Sequence, residues 1–138
     1  MTTASSGVTV YVDGASKGNP GHAGIGIRVE SGGELIKEFS DYLGITTNNF
    51  AEYKALIKGL QLATELKANE VSVISDSELV VKQINGQYKV KNAQLLPLFR
   101  EASKLSRGFA TFNIRHIRRS LNSEADRLAN EGIQEGTM

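Results

Sequence analysis

Four carboxylates spread along the chain, Asp13, Glu52, Asp76 and Asp126, stand where the surrounding patterns should carry each of them toward one edge of a sheet. Acids that converge in this way build a site for hard divalent cations. Carboxylates brought within a few ångströms repel and resist joint ionisation unless a cation compensates them. Mg2+ takes oxygen ligands and keeps positions open for water and phosphate, so a set of acids without His or Cys suits it better than zinc. Two such ions about 3.5–4 Å apart can activate a water and stabilise the leaving oxygen of a phosphodiester.

Each acid also has an ordinary reading by itself. Asp13 precedes Gly14 and could open a turn, Asp76 follows a strand and could cap the next helix, and a lone Asp126 could be a solvated helix residue. Glu52 resists such a reading. It stands four residues before Leu56 and eight before Leu60, on the stripe that should face the sheet. Asp126 precedes Ala129 by three and Ile133 by seven, on the flank of a buried stripe.

The elements that must position these acids follow from periodicity. Val8, Val10 and Val12 alternate with Thr9 and Tyr11 and predict a strand ending at Asp13-Gly14. After the turn-rich run Lys17-Gly18-Asn19-Pro20-Gly21, two more strands are predicted over 23–30 and 34–42, separated by Ser31-Gly32-Gly33. From Asn49 to Leu66 the period becomes helical. Val71 to Ser75 reads as a buried strand ending at Asp76, followed by a helix through Ile84 that Asn85-Gly86 terminates. Leu95, Leu98, Phe99, Ala102 and Leu105 mark another helix, with Pro97 in its first turn; a strand over 109–117 and a helix over 123–133 complete the chain. The order βββαβααβα predicts an α/β domain, its first three strands antiparallel and the later ones parallel to the first. Such a sheet changes direction between its first and fourth strands, where open α/β sheets bind ligands.

With 138 residues, 40% hydrophobic and 22% charged, the chain fits one globular domain over 8–133, with residues 1–7 and 134–138 expected to be flexible. The start MTTASSG lacks a basic region followed by an apolar one, and no apolar run is long enough to span a membrane, which argues against a secretory route. Absence of cysteine excludes disulfides, thiolate zinc sites and a cysteine nucleophile, and fits a cytoplasmic setting. The net charge of +1 gives no nucleic-acid signature by itself.

Four motifs in register, Asp13-Gly14-Ala15-Ser16-Lys17-Gly18-Asn19-Pro20-Gly21, Thr47-Asn48-Asn49-Phe50-Ala51-Glu52, Ser75-Asp76-Ser77 and Asn122-Ser123-Glu124-Ala125-Asp126-Arg127-Leu128-Ala129, resemble the ribonuclease H type 1 family. The resemblance runs from Val8 to Ile133. It implies an α/β ribonuclease H-like fold, a five-stranded mixed sheet in the order 3-2-1-4-5 flanked by helices. It also implies endonucleolytic cleavage of the RNA strand of RNA–DNA hybrids by two-metal-ion catalysis, leaving 5′-phosphate and 3′-hydroxyl ends. Asp13, Glu52, Asp76 and Asp126 match the family's catalytic, metal-binding carboxylates, holding two Mg2+ ions for which Mn2+ can substitute. His116, ten residues before Asp126, matches the family's loop histidine, with Arg118 or Arg119 as the alternative group for phosphate or proton-linked work. Gly14, Ser16, Asn19, Asn48 and Asn49 match positions that grip the hybrid's minor groove, and uncharged amides suit 2′-hydroxyl recognition. Turn and N-cap duty for the asparagines is compatible with that role.

The departures point to a compact form of the family. Glu78 stands where many relatives carry a neutral amide. Between Ile84 and Leu95 only Lys89 and Lys91 are basic and the chain has no tryptophan, so the long basic protrusion is missing. Substrate should then be held loosely and activity should fall with salt. Arg115, Arg118 and Arg119 with Lys104 and Arg107 are a candidate substitute for that positive charge. The expected partner is an RNA–DNA hybrid, with double-stranded RNA a further candidate, met by a monomer away from membranes. A hybrid- or double-stranded-RNA-binding module without turnover, or another nuclease of the same fold such as a resolvase or 3′-exonuclease, are the competing functions.

Overall fold

The computed structural model describes residues 7–138, and residues 1–6 of the expected flexible start lie outside that range. Its elements are β1 (Gly7–Ser16), β2 (Gly21–Ser31), β3 (Glu34–Thr46), α1 (Asn48–Glu65), β4 (Glu70–Ser75), α2 (Glu78–Ile84), α3 (Leu96–Ser106), β5 (Thr111–His116) and α4 (Ser123–Gly136), with a short 3-10 turn over Arg119–Leu121 before α4. They form one five-stranded sheet in the order β3-β2-β1-β4-β5. The first three strands pair antiparallel, while β4 runs parallel to β1 and β5 parallel to β4. The predicted fold class and strand order are those observed.

Alternation along β1 explains the layers. Val8, Val10 and Val12 point to one face and meet Ile27 and Val29 of β2, Leu56 and Leu60 of α1, and Val80, Val81 and Ala102 of α2 and α3 in one core. The opposite face is covered by α4, where Ala129 and Ile133 pack with Ala15. Glycines in β2 allow that approach. A Cβ on Gly26 would run into the backbone of Ala125 and Ala129, and one on Gly24 into Ala129 and Ile133.

Several boundaries differ from the sequence reading: β3 runs on to Thr46, past the expected 42, and β5 is shorter than 109–117. β1 does not stop at Asp13; it continues to Ser16, which pairs with Ala23, because β2 begins at Gly21 and offers a partner throughout. Gly7, expected to be loose, is already paired with Glu70 of β4. The helix expected to fray after Ile133 runs on to Gly136, held by close packing of Gly136 on Tyr42 and by the Thr137 hydroxyl donating to the Ile133 carbonyl.

Gly26→Ala should push α4 off the sheet, at a cost of about 1–3 kcal/mol. Thermal unfolding should show a midpoint several degrees lower; an unchanged midpoint would mean that α4 is not seated on β2 as described.

Candidate active site

The site forms where the β1–β4 ladder ends. Its last pair is Val12 with Ser75, so Asp13 and Asp76 are the first residues beyond it on adjacent parallel strands. Asp13 lies across from Gly26, on the face that α4 covers, while Gly14 lies on the α1 face. Where the ladder stops, groups from both faces reach one another. Carboxylate oxygens of Asp13, Glu52 and Asp76 all lie within 4.8 Å of one another.

Each acid is delivered by local chemistry that leaves its carboxylate free. Thr47 caps α1, its hydroxyl accepting from the Phe50 amide at 3.2 Å, so neither Asn48 nor Asn49 is needed as the cap. Glu52 then falls one turn inside α1 and is 5% exposed. Its Oε1 accepts from the Gly14 amide at 2.8 Å. Only glycine permits this closeness, because a Cβ at position 14 would collide with the backbone of Ala51 and Glu52. Ser77 caps α2 through the Val80 amide at 3.3 Å, which removes the capping role that Asp76 could have had. Asp76 instead accepts from the Asn122 side-chain amide at 3.1 Å. Asp13 is no turn residue; it is inside a strand, 1% exposed, and neither of its carboxylate oxygens has a hydrogen-bond partner.

The fourth acid differs from expectation. Asp126 is not among the three whose oxygens all lie within 4.8 Å of one another, yet its side chain approaches that of Asp13; its Oδ1 also takes Arg119 Nη2 at 3.2 Å and Asn130 Nδ2 at 3.4 Å. It remains near enough for its charge to act on Asp13 and Glu52. Arg119 lies over the same cluster: the charges of Asp13, Asp126 and Asp76 all act on its guanidinium. His116 ends β5, opposite Ser75, the residue before Asp76. Of the three candidates, His116, Arg118 and Arg119, Arg119 is the one that pairs with a site carboxylate.

The groove residues converge on the same edge. Asn19 Oδ1 accepts from the Asn48 amide at 3.1 Å, joining the β1–β2 turn to the start of α1 beside exposed Asn49. Gly14 and Ser16 follow Asp13 along β1. The basic cluster, by contrast, is divided. Lys104 and Arg107 precede the start of β5, beside the start of β4, whereas Arg115, Arg118 and Arg119 follow toward the other end, about 20 Å away along a six-residue strand. Nothing but the 85–95 connection separates α2 from α3, so the basic protrusion is absent.

Asn122 has no role assigned by the motif reading, yet it ties the site together. It is 1% exposed, and its amide donates both to the Val12 carbonyl at 2.9 Å and to Asp76. The ends of β1 and β4 and the start of α4 are thus fastened by one side chain. Its position four residues before Asp126 was the available signal.

Chemically this is a cation site. Burial raises the Asp13 carboxyl well above its ordinary range, and the charges of Glu52, Asp76 and Asp126 raise it further. Burial likewise raises Glu52, against the Gly14 hydrogen bond that favours its ionised form. Three close carboxylates, of which Asp13 is buried with both oxygens unpartnered, with no nitrogen or sulfur ligand among them, fit a hard divalent cation.

A pH dependence follows. Both carboxyls ionise near pH 4 in the unfolded chain, and the Asp13 value is pushed up to about 9 in the fold. Between these limits the folded state holds more protons than the unfolded one, so this contribution to stability is full below about pH 4 and is lost as pH rises toward 9. In chelator, the wild-type midpoint should therefore decline across that window. Asp13→Asn should flatten the decline and stabilise the protein at pH 8 by about 1–3 kcal/mol. Denaturant titrations at several pH values would check this, and a variant that tracks the wild type would contradict it.

Comparison with known proteins gives the same neighbourhood. A family model described as reverse transcriptase-like matches residues 11–132. A bifunctional protein of Mycobacterium tuberculosis is 42% identical over 128 residues, covering 91% of this chain and 35% of that protein, so the chain spans about a third of its length. The crystal structure of RNase H1 from the halophilic archaeon Halobacterium salinarum superposes with a TM-score of 0.91 at 39% identity, covering 94% of this chain and 98% of that one. LC11-RNase H1, isolated from compost by a metagenomic approach and crystallised in complex with an RNA/DNA hybrid, gives 0.90 at 38% identity, covering 95% and 99%.

Proposed function

The chain belongs to the ribonuclease H family, type 1, and from that premise we propose that it is an endonuclease hydrolysing the RNA strand of RNA–DNA hybrids to 5′-phosphate and 3′-hydroxyl ends. The observation that carries this reading is the set of oxygens from buried Asp13 and Glu52 and half-buried Asp76 within 4.8 Å, with both Asp13 oxygens lacking a donor.

Asp13, Glu52 and Asp76 would hold divalent cations, with Asp126 contributing from α4. Two Mg2+ ions, or Mn2+ in their place, would supply charge compensation, an activated water and stabilisation of the leaving 3′-oxygen. The chain's residues prepare the rest. The Gly14 amide fixes the Glu52 carboxylate, and Asn122 fixes Asp76, so neither must reorganise when substrate arrives. Arg119 stands beside the acids as the positive group for the scissile phosphate. His116, at the end of β5, would take part in product departure rather than in holding metal.

Selection of the hybrid would rest on Gly14, Ser16, Asn19, Asn48 and Asn49. Uncharged amides and backbone groups can read 2′-hydroxyls on one strand without demanding a base sequence. Their shared edge with the acids supports this assignment. The short 85–95 connection leaves few cations to hold the second strand.

Asp13→Asn and Asp76→Asn should each abolish cleavage of a labelled hybrid, by at least about a thousandfold, while hybrid binding in Ca2+ persists. Retained turnover at saturating Mg2+ would overturn the assignment. Matched RNA–DNA, RNA–RNA and DNA–DNA duplexes, each with Mg2+ and Mn2+, test the substrate. Cleavage of the DNA duplex would favour another nuclease of this fold, and binding without cleavage in any arm would favour the binding module.

A further inference from the structure

The turn between β1 and β2 is moored from two sides, and both moorings lie one helical turn from a site carboxylate. On the α1 side, Asn48 donates its backbone amide to Asn19, and Glu52 follows four residues later. On the α4 side, Lys17 Nζ donates to Asn130 Oδ1 at 2.8 Å, and Asp126 precedes Asn130 by four. The first mooring fixes a proposed groove residue. The second has no part in the reading above.

Asn130 is half-buried, and both ends of its amide are used. Its Oδ1 accepts from Lys17, while its Nδ2 donates to the Asp126 carbonyl at 2.9 Å and lies 3.4 Å from Asp126 Oδ1. The direction of the amide is determined by these partners. Turned over, it would set its NH2 against the Lys17 ammonium and its oxygen against two Asp126 oxygens. Lys17 therefore selects the orientation in which Asn130 can donate to Asp126. Asp126, whose side chain is one-third exposed, takes its hydrogen-bond donors from Arg119 and Asn130.

We propose that Asn130 is a positioning residue that couples the Lys17–Gly21 turn to Asp126, so that the placement of the groove turn and of the fourth carboxylate are set together. This rests on the reading of the site as a metal-dependent hybrid nuclease. A substrate that draws Lys17 or Asn19 toward its backbone would act on Asp126 through one side chain, without any movement of α4. Asp at position 130 could still pair with Lys17 but could not donate to Asp126, and it would add a like charge one turn away.

The test is a double-mutant cycle on the full chain, with Lys17→Met, Asn130→Ala and their combination, plus Asn130→Asp. Hybrid cleavage and substrate-free Mn2+ affinity by calorimetry are read for each, with thermal midpoints as a control for folding. Each single variant should lower kcat about tenfold with KM changed by less than about twofold, and the double variant should be no worse than the poorer single. Asn130→Asp should be poorer than Asn130→Ala, and Mn2+ affinity should show the same non-additivity. Multiplying losses, a loss confined to KM, or lowered midpoints with unchanged kcat and Mn2+ affinity would each overturn the coupling. Failure of the wild type to cleave hybrids would overturn the functional reading alone, since the Mn2+ cycle still decides whether Lys17 and Asn130 act together.

Discussion

Three carboxylates held within 4.8 Å of one another repel, and the fold keeps them there by spending its packing on the elements that carry them. Asp13 is seated in the central strand, Glu52 in the helix packed across that strand, and Asp76 at the end of its parallel neighbour. None can retreat without disturbing the main core, to which Val12, Leu56 and Val73 belong. Burial raises the cost of ionisation, which makes the site avid for compensating positive charge.

A small number of directed bonds convert that crowding into a defined geometry. The Gly14 amide orients Glu52, and the Asn122 amide spans from Val12 to Asp76. Both depend on close backbone approach, at Gly14 against α1 and at Gly24 and Gly26 against α4. The same glycines that let helices sit low on the sheet thus let their acids reach its edge. Asp126 is held differently, by Arg119 and Asn130 on the partly exposed side of the cluster.

The compact outline has an electrostatic counterpart. With α2 joined to α3 by residues 85–95, positive charge near the site comes from Arg115, Arg118 and Arg119, while Lys104 and Arg107 are a strand's length away. Elsewhere cations serve the fold. Arg127 bridges Glu38 of β3 with Glu124 and Glu131 of α4, and Arg28 of β2 reaches Glu124 as well as Glu30 and Glu38, so these charges fasten α4 to the sheet. Exposed pairs of this kind add little individually, and their value here is orientation of α4.

The sequence by itself determined the element order, the antiparallel meander with parallel additions, and the candidacy of Asp13, Glu52, Asp76 and Asp126, because alternation, helical stripes and turn residues are local properties of the chain. It also determined that no protrusion intervenes between Ile84 and Leu96. Only the tertiary structure decided which acids meet. That depends on where the β1–β4 ladder ends, a matter of register between segments about sixty residues apart. It likewise decided that Thr47 and Ser77, rather than the functional candidates beside them, cap their helices, that Arg119 pairs with Asp126, and that Asn122 and Asn130 hold two of the acids. An amide's partners are fixed by what packs around it, and no spacing along the chain records that.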